Sequence, residues 1–292
     1  MSEFIELVKL SMRPATIIYP YPILPLLIFS HSGTYNILSL FKAIIFSFIF
    51  YSGVNLWNHV NDIEEDVLGG KRNIIIENVR VRKLVSIISP IQYLTSFSLT
   101  ILWCTDWRGV VAFAVAAFAT WIYSDRIVLG RIVRRWKDYY LTEVLAFVIF
   151  FPLFTLALWT FFTPLSAKSV ALSTAVSFFL LSGTFLKDIK DITGDKLAGL
   201  KTLGVVFSPE TLLKASLTML FLYYISILIF TLFKIFPSLT LASVVFSAGA
   251  IHTTVHFINN DWQITIREAK VLESMFYFNI SSFMVFIISG FM

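Results

Sequence analysis

Nine long apolar runs limit the folds open to this chain more than any other feature of its sequence. A helix needs about 20 mostly apolar residues to cross the hydrocarbon core of a bilayer, and the two shortest runs reach that length only with flanking residues. Because the runs are continuous rather than alternating, they predict membrane-spanning helices and not the strands of a β-barrel. The predicted spans are Thr16–His31, Ile37–Trp57, Leu84–Cys104, Val110–Tyr123, Tyr140–Phe161, Val170–Leu186, Thr211–Phe233, Pro237–Phe257 and Leu272–Met292.

The low charge content supports the same conclusion. Only 14% of the residues are charged, against about 25% in a typical soluble domain. No linker or low-complexity tract interrupts the apolar runs. We therefore predict an all-α membrane protein in which residues 1–292 form a single domain, with nine transmembrane helices in one bundle around a central cavity.

The cations are distributed unevenly between the two ends of the predicted bundle. If the amino terminus is cytoplasmic and the spans alternate in direction, all but four of the 23 Lys and Arg fall in cytoplasmic segments; the exceptions are Lys42, Arg108, Lys168 and Lys234. This bias follows the positive-inside rule. It predicts a multi-pass integral membrane protein with a cytoplasmic amino terminus and cytoplasmic catalytic loops. The net charge of +5 is then topological, and it indicates membrane lipid rather than nucleic acid as the surrounding partner.

Two acidic clusters stand out among the cytoplasmic segments. One follows the second predicted span and the other follows the sixth, which suggests an internal duplication. Each cluster has helical spacing that places its members on one stripe of a helix. The first consists of Asn58, Asp62 and Asp66, and the second of Asp188, Asp191 and Asp195.

Like charges one helical turn apart repel each other, so such stripes call for a neighbouring cation. Oxygen ligands without a cysteine cluster favour a hard ion, with Mg²⁺ preferred over Ca²⁺. Magnesium commonly completes its coordination shell with water and substrate phosphate, so two acidic stripes near basic residues indicate a metal-bridged diphosphate. The alternative is a pair of solvated helix ends whose carboxylates are neutralised by nearby lysines and arginines; these are Lys71, Arg72, Lys187, Lys190 and Lys196.

The two clusters resemble the paired motifs of the UbiA superfamily of intramembrane prenyltransferases. Its first motif, N-x-x-x-D-x-x-x-D, follows the second helix, and its second motif, D-x-x-D-x-x-x-D, follows the sixth; both patterns are present here. Three further matches are Arg13–Pro14 before the first span and Gly199 and Lys201–Thr202 after the second motif. The chain departs from the family pattern in two places. Arg72 is followed by Asn73 rather than proline, and Ile127 stands where many members have a lysine, with Arg126 one residue earlier.

The resemblance implies an enzyme that uses Mg²⁺ to transfer an isoprenyl group from an allylic polyprenyl diphosphate to a lipophilic acceptor. By the same resemblance, the metal-binding residues are Asn58, Asp62, Asp66, Asp188, Asp191 and Asp195, of which Asp62, Asp66, Asp191 and Asp195 are the catalytic carboxylates. The residues implied to bind the diphosphate are Asn58, Lys71, Arg72, Tyr123, Arg126 and Lys201.

The resemblance leaves the acceptor open. Glu143 and the run Phe151–Leu153 resemble members that prenylate naphthoates, which favours an aromatic quinone precursor. Glycerol-lipid, haem and chlorophyllide acceptors are the alternatives within the family. A cation-coupled membrane transporter is the alternative outside it, although transporters commonly place such acids near the bilayer midplane rather than at helix ends.

Overall fold

The computed structural model describes residues 3–12, 19–189, 192–264 and 266–292. Across these residues the chain is helical, and the one extended pairing they contain is an isolated parallel bridge between Tyr139 and Lys201. The α-helices are α1 (Glu3–Ser11), α2 (Leu24–Ser32), α3 (Ile37–Asn61), α4 (Ile63–Leu68), α5 (Ile74–Glu77), α6 (Val79–Trp103), α7 (Trp107–Ser124), α8 (Tyr140–Trp159), α9 (Ala167–Asp188), α10 (Ile192–Leu197), α11 (Leu203–Val206), α12 (Pro209–Leu232), α13 (Ser247–Asn259) and α14 (Ile266–Gly290). A π-helical turn covers Tyr19–Ile23, and 3₁₀ segments cover Leu129–Arg131, Trp136–Asp138 and Ser238–Phe246.

Eight helical segments of the described chain are long and apolar enough to cross a membrane. They comprise α3, α6, α7, α8, α9, α12, the 3₁₀ segment continued by α13, and α14. Each overlaps one of the predicted spans, so the all-α membrane fold and eight of the nine spans are confirmed.

The first predicted span, Thr16–His31, has a different local structure over its described part. Tyr19–Ile23 forms the π-helical turn and α2 continues to Ser32. The segment carries Pro20, Pro22 and Pro25, and proline removes a backbone donor from the helical ladder. The described helix is therefore too short to count as a span, residues 13–18 lie outside the described part, and the ninth span stays a prediction.

Polar caps fix where the long helices begin. The side chain of Asn36 accepts hydrogen bonds from the backbone N–H groups of Leu38 and Ser39 at the start of α3. Asn78 does the same for α6, and Ser166 forms a reciprocal capping box with Ser169 at the start of α9. These side chains satisfy backbone donors that a helix end leaves unpaired, so the helix boundaries follow from local chemistry.

An internal repeat relates the two halves of the chain. The short helices α4 and α5 are matched by α10 and α11 at one constant interval along the sequence. Two residues after the last residue of each of α4 and α10 the chain has a glycine in the left-handed region, with φ of 72° at Gly70 and 71° at Gly199. The backbone N–H of the following residue then donates to the carbonyl of the last aspartate in its cluster, from Lys71 to Asp66 and from Leu200 to Asp195. The repeat thus extends beyond the acidic spacing that first suggested it.

Two glycines let the repeated acidic segments meet. A Cβ atom added to Gly194 would lie 2.9 Å from the Glu65 carbonyl oxygen and 3.3 Å from the Gly69 Cα atom. Since real Cβ atoms seldom approach so closely, only glycine permits this backbone contact. It brings the ends of α3 and α9 to one place.

The interior beneath this meeting point is largely aromatic. Phe50 stacks on Phe154 with ring centroids 5.4 Å apart and meets Phe113 edge-to-face at 4.9 Å. All three side chains are buried. Such ring pairs add to the stabilisation from burial, and they make this part of the interior apolar.

We expect Gly194→Ala to reduce stability by about 1–3 kcal/mol, the usual cost of overpacking, because its methyl group would push α10 away from Glu65 and Gly69. Gly183→Ala is the matched control. Gly183 lies within α9, and a Cβ atom there would meet nothing within 4 Å, so alanine should leave stability unchanged or raise it slightly. Thermal unfolding of the purified protein in detergent measures both. Equal melting temperatures for the two variants would contradict the close contact.

Candidate active site

A cavity of about 310 Å³ lies where the two acidic segments meet. Its walls come from the last turns of α3, α7 and α9, from α4 and α10, and from the loop between α7 and α8. The lining residues are Asn55, Asn58, His59, Asp62, Glu65, Asp66, Gly69, Lys71, Tyr123, Lys137, Lys187, Thr193, Gly194 and Asp195. The lining is predominantly polar, in contrast to the aromatic interior below it.

The cavity unites much of the predicted site. Six of the predicted residues line it: Asn58, Asp62, Asp66, Lys71, Tyr123 and Asp195. The side chain of Asp188 and the whole of Asp191 lie outside the described residues. Because Asp66 and Asp195 come from opposite halves of the internal repeat, both acidic segments contribute to the lining of one cavity.

Asp62 is held by two cations. Its Oδ1 atom accepts a hydrogen bond of 2.9 Å from Arg135 Nη1, and its Oδ2 atom accepts one of 2.6 Å from Lys137 Nζ. Burial alone would raise the pKa of the Asp62 carboxyl, but the charges of Lys137 and Arg135 outweigh burial and hold that pKa below its usual value. Asp62 is therefore a carboxylate at neutral pH.

Asp66 is held in a similar way by residues of its own segment. Lys71 Nζ donates a hydrogen bond of 2.9 Å to its Oδ1 atom, and His59 Nδ1 lies 3.7 Å from its Oδ2 atom. Burial acts to raise the pKa of Asp66, but His59 and Lys71 together lower it to about 2. The left-handed turn at Gly70 positions Lys71 for this contact, since it folds the chain back towards Asp66.

A buried arginine joins the first acidic segment to the loop between α7 and α8. Arg135 is 2% exposed, and its guanidinium pairs with Asp62, Glu65 and Asp138. Glu65 is also buried, and its Oε2 atom has no hydrogen-bond partner among the described residues. Arginine suits such a position because its planar fork can serve several carboxylates at once.

The loop that supplies Arg135 and Lys137 is itself anchored at both ends. At its start, the buried Asp125 carboxylate accepts hydrogen bonds from the backbone N–H groups of residues 127–129. At its end, the Lys201 N–H donates to the Asp138 carbonyl and the Tyr140 N–H donates to the Lys201 carbonyl. These bonds tie the loop to the segment that follows Asp195, so an anchored backbone presents Arg135 to the first acidic segment and Lys137 to the cavity.

Glu143 connects the cavity wall to the second acidic segment. It is buried, and its Oε1 atom accepts a hydrogen bond of 3.2 Å from the Tyr123 hydroxyl. Its Oε2 atom accepts a hydrogen bond from the Leu203 N–H. The neighbouring Thr202 hydroxyl donates to Asp195 Oδ2 at 3.0 Å. Glu143 thus positions both Tyr123 and the chain that supports Asp195.

Three of the cations predicted to bind diphosphate lie outside the cavity lining. Arg126 pairs with Glu64 at 2.7 Å and with Glu65 at 3.3 Å. Arg72 and Lys201 are exposed, and Lys201 contributes its backbone to the loop contact. A direct role for these three in binding diphosphate stays a prediction, while Lys71 and Lys187 lie in the lining with Lys137.

Sequence reasoning did not single out Lys137, Arg135 or Glu65. The two cations were counted only towards the positive-inside bias, and Glu65 lies off the stripe that Asp62 and Asp66 define. The one available signal was a basic run, Arg134–Lys137, close to the start of a span. His59, which is not a member of the acidic stripe, also lines the cavity beside Asp66.

The donor atoms of the cavity suit a magnesium ion that carries a phosphate ligand. Carboxylate and amide oxygens are the donors that hard cations prefer, and Mg²⁺ commonly takes one or two carboxylates together with water and phosphate. Asp62, Asp66, Asp195 and Asn58 supply such oxygens. Among the described residues, no three acidic, His or Cys side chains converge closely enough to cage an ion by themselves. A magnesium ion bound by one or two of these carboxylates would share its remaining positions with water and substrate phosphate.

Comparison with known sequences identifies relatives over most of the chain. The sequence profile of the UbiA prenyltransferase family matches residues 20–280. An uncharacterized protein of Archaeoglobus fulgidus is 37% identical over 264 residues, which cover 89% of this chain and 90% of that protein.

Solved structures share the fold at low sequence identity. A digeranylgeranylglyceryl phosphate synthase superposes with a TM-score of 0.70 at 16% identity, covering 100% of this chain and 99% of that one. A UbiA homologue from Archaeoglobus fulgidus bound to GPP and Mg²⁺ gives a TM-score of 0.66 at 15% identity, with coverages of 99% and 98%. A UbiA homologue from Aeropyrum pernix gives 0.65 at 13%, with coverages of 96% and 98%. At these identities the likeness establishes the fold alone.

We expect Arg135→Met to destabilise the protein by about 3–5 kcal/mol, because it leaves the buried Glu65 and the partly buried Asp62 without their shared cation. Arg134→Met is the matched control next to it. The Arg134 side chain is 61% exposed and lies 3.7 Å from Asp138, so its loss should change stability by less than about 1 kcal/mol. Chemical unfolding of both variants in detergent measures the difference. A destabilisation by Arg134→Met as large as that by Arg135→Met would contradict the buried network.

Proposed function

Because the chain belongs to the UbiA prenyltransferase family, we propose that it transfers an isoprenyl group from an allylic polyprenyl diphosphate to a lipophilic acceptor, with Mg²⁺ as its cofactor. The observation that supports this most strongly is one cavity lined by carboxylates from both acidic segments and by three lysines. Family membership confirms the resemblance first indicated by the two motifs. It also favours an enzyme over the cation-coupled transporter.

The donor's diphosphate is the group that this cavity is best equipped to bind. The ammonium groups of Lys71, Lys137 and Lys187 line it and are suited to charge-assisted hydrogen bonds with phosphate oxygens. Asn58 and Tyr123 supply neutral polar groups to the same lining. When bound, magnesium would be held by Asp62, Asp66, Asp195 and Asn58, and it would supply Lewis-acid stabilisation of the charge on the leaving diphosphate.

The aromatic interior suits the apolar part of the reaction. Breaking the bond between the isoprenyl carbon and the diphosphate oxygen leaves an allylic cation, which water would capture if it had access. The close-packed layer that includes Phe50 and Phe154 excludes water, and aromatic faces also stabilise cations. The polar groups at the helix ends therefore suit the diphosphate of the donor, and the apolar groups of the interior suit its isoprenyl chain.

An aromatic quinone precursor is the acceptor that we propose. Its support is Glu143 with the run Phe151–Leu153, which resembles members of the family that prenylate naphthoates. In the structure Glu143 positions Tyr123 in the cavity wall. A glycerol-lipid alcohol is the second candidate, since a digeranylgeranylglyceryl phosphate synthase shares the fold along the whole chain. The bias of Lys and Arg supports a cytoplasmic position for the cavity end of the bundle.

Asp62→Asn and Asp195→Asn should each lower the rate of isoprenyl transfer by at least about 100-fold, because each removes charge from the proposed metal site while keeping the side-chain shape. Asp261→Asn is the isosteric control. Asp261 is exposed and lies in the left-handed region with φ of 49°, which asparagine tolerates well. The assay is magnesium-dependent release of diphosphate from geranylgeranyl diphosphate, with thermal unfolding as a check that the variants are folded. Full activity in either Asp62→Asn or Asp195→Asn would remove the basis for the proposed site.

An acceptor panel decides between the two acceptor classes. We expect diphosphate release to be coupled to a hydroxynaphthoate or hydroxybenzoate, with the prenylated product identified by mass spectrometry. Coupling to geranylgeranylglyceryl phosphate alone would replace the aromatic acceptor with the glycerol-lipid one. Absence of release with every donor and acceptor, from folded protein with magnesium present, would contradict isoprenyl transfer altogether.

A further inference from the structure

The ammonium group of Lys137 lies next to a carboxylate that is proposed to bind the metal ion. Its Nζ atom lies 2.6 Å from Asp62 Oδ2, one of the oxygens proposed to bind magnesium. The other oxygen of the same carboxylate is taken by Arg135 at 2.9 Å. Both Lys137 and Asp62 are mostly buried, with side chains 14% and 15% exposed. Each oxygen of the Asp62 carboxylate is therefore hydrogen-bonded to a cationic side chain.

The two cations on Asp62 differ in how easily they can move. Arg135 is fixed by Glu65 and Asp138 as well as by Asp62. Lys137, by contrast, makes its ion pair within the described residues to Asp62 alone. Its ammonium group ends a flexible four-carbon chain, and it lines the cavity. Lys137 can therefore turn into the cavity without breaking the buried arginine network.

A divalent ion and an ammonium group compete for the same carboxylate oxygen. Each attracts Asp62, and the two repel each other strongly at contact distance in a partly buried site. A diphosphate changes this balance, because it brings several negative oxygens next to the metal. The ammonium group then has a new anionic partner within the same cavity.

We propose that Lys137 neutralises Asp62 while the metal is absent and moves to the diphosphate when the metal and donor bind together. Lys137 thereby weakens metal binding to the empty cavity and strengthens binding of the metal–diphosphate pair. This inference rests on the proposed function, and it assigns Lys137 a second task in it. In the bound state the ammonium group offsets negative charge on the leaving diphosphate, and no proton or electron is transferred.

The test uses Mn²⁺, which replaces Mg²⁺ and is visible by electron paramagnetic resonance, and inorganic pyrophosphate as the probe for the diphosphate. Wild-type protein is compared with Lys137→Met, which keeps the length of the chain without its charge. Lys83→Met is the control, because Lys83 is exposed on the same surface outside the cavity lining. If Lys137→Met does not fold, Lys137→Gln replaces it.

The two measured affinities should change in opposite directions. Without pyrophosphate, Lys137→Met should bind Mn²⁺ about tenfold more tightly, since a competing positive charge is gone. At saturating Mn²⁺, the same variant should bind pyrophosphate at least about tenfold more weakly, since a charge-assisted hydrogen bond is lost. Lys83→Met should match wild type in both titrations.

An unchanged or weaker Mn²⁺ affinity in Lys137→Met would overturn the exchange, and a loss of both affinities would indicate a structural role alone. Unchanged pyrophosphate affinity would overturn the proposed contact between Lys137 and the diphosphate.

The result for Lys137 can be distinguished from failure of the proposed function. If Lys137→Met shifts the two affinities in opposite directions but the wild-type protein transfers no isoprenyl group, the proposed transfer is refuted and the proposed movement of Lys137 stands. If the wild-type protein transfers an isoprenyl group but wild type and Lys137→Met bind Mn²⁺ equally well, the proposed movement of Lys137 is refuted and the proposed transfer stands.

Discussion

The repulsion among carboxylates at one end of the bundle is the constraint on which the rest of the structure depends. Asp62, Glu65, Asp66 and Asp195 lie around one cavity, and like charges gathered there would separate unless cations offset them. Arg135 supplies the fixed part of that compensation from a buried position. The loop that carries it is held in turn by backbone hydrogen bonds to the second acidic segment. Charge, loop conformation and the meeting of the two halves therefore depend on one another.

Most of the fold could be predicted from hydrophobicity, because a membrane helix is set by its length and apolar content. The predicted span Tyr140–Phe161 and the observed helix Tyr140–Trp159 begin at the same residue. The predictions were least informative where backbone geometry rather than hydrophobicity decides the structure. The prolines before α2 replace part of a predicted span by a π-helical turn. The contact between Gly69 and Gly194 depends on a close backbone approach that composition does not reveal.

The sequence predicted the site residues that belong to the two acidic motifs, but not those that come from elsewhere in the chain. Asn58, Asp62 and Asp66 share a helical stripe, so their convergence followed from spacing, and Asp195 joined them through the repeat. Lys137 and Arg135 come from a loop between two spans, and no periodicity relates a loop to the acids that it meets in space. Arg126 was predicted to bind the diphosphate because it lies one residue from the position where many relatives have a lysine. In the structure its guanidinium pairs with Glu64 and Glu65, and its contact with diphosphate stays a prediction.

The central claim is that acidic segments from both halves of the chain bind one metal–diphosphate pair. A crystal or cryo-electron microscopy structure with Mg²⁺ and a non-hydrolysable thiolodiphosphate donor tests it most directly. We predict a magnesium ion about 2.1 Å from a carboxylate oxygen of Asp62 or Asp66, a carboxylate of the second segment on the same metal–diphosphate assembly, and the diphosphate in contact with Lys137. A diphosphate bound away from this cavity, or held by one acidic segment alone, would contradict the claim.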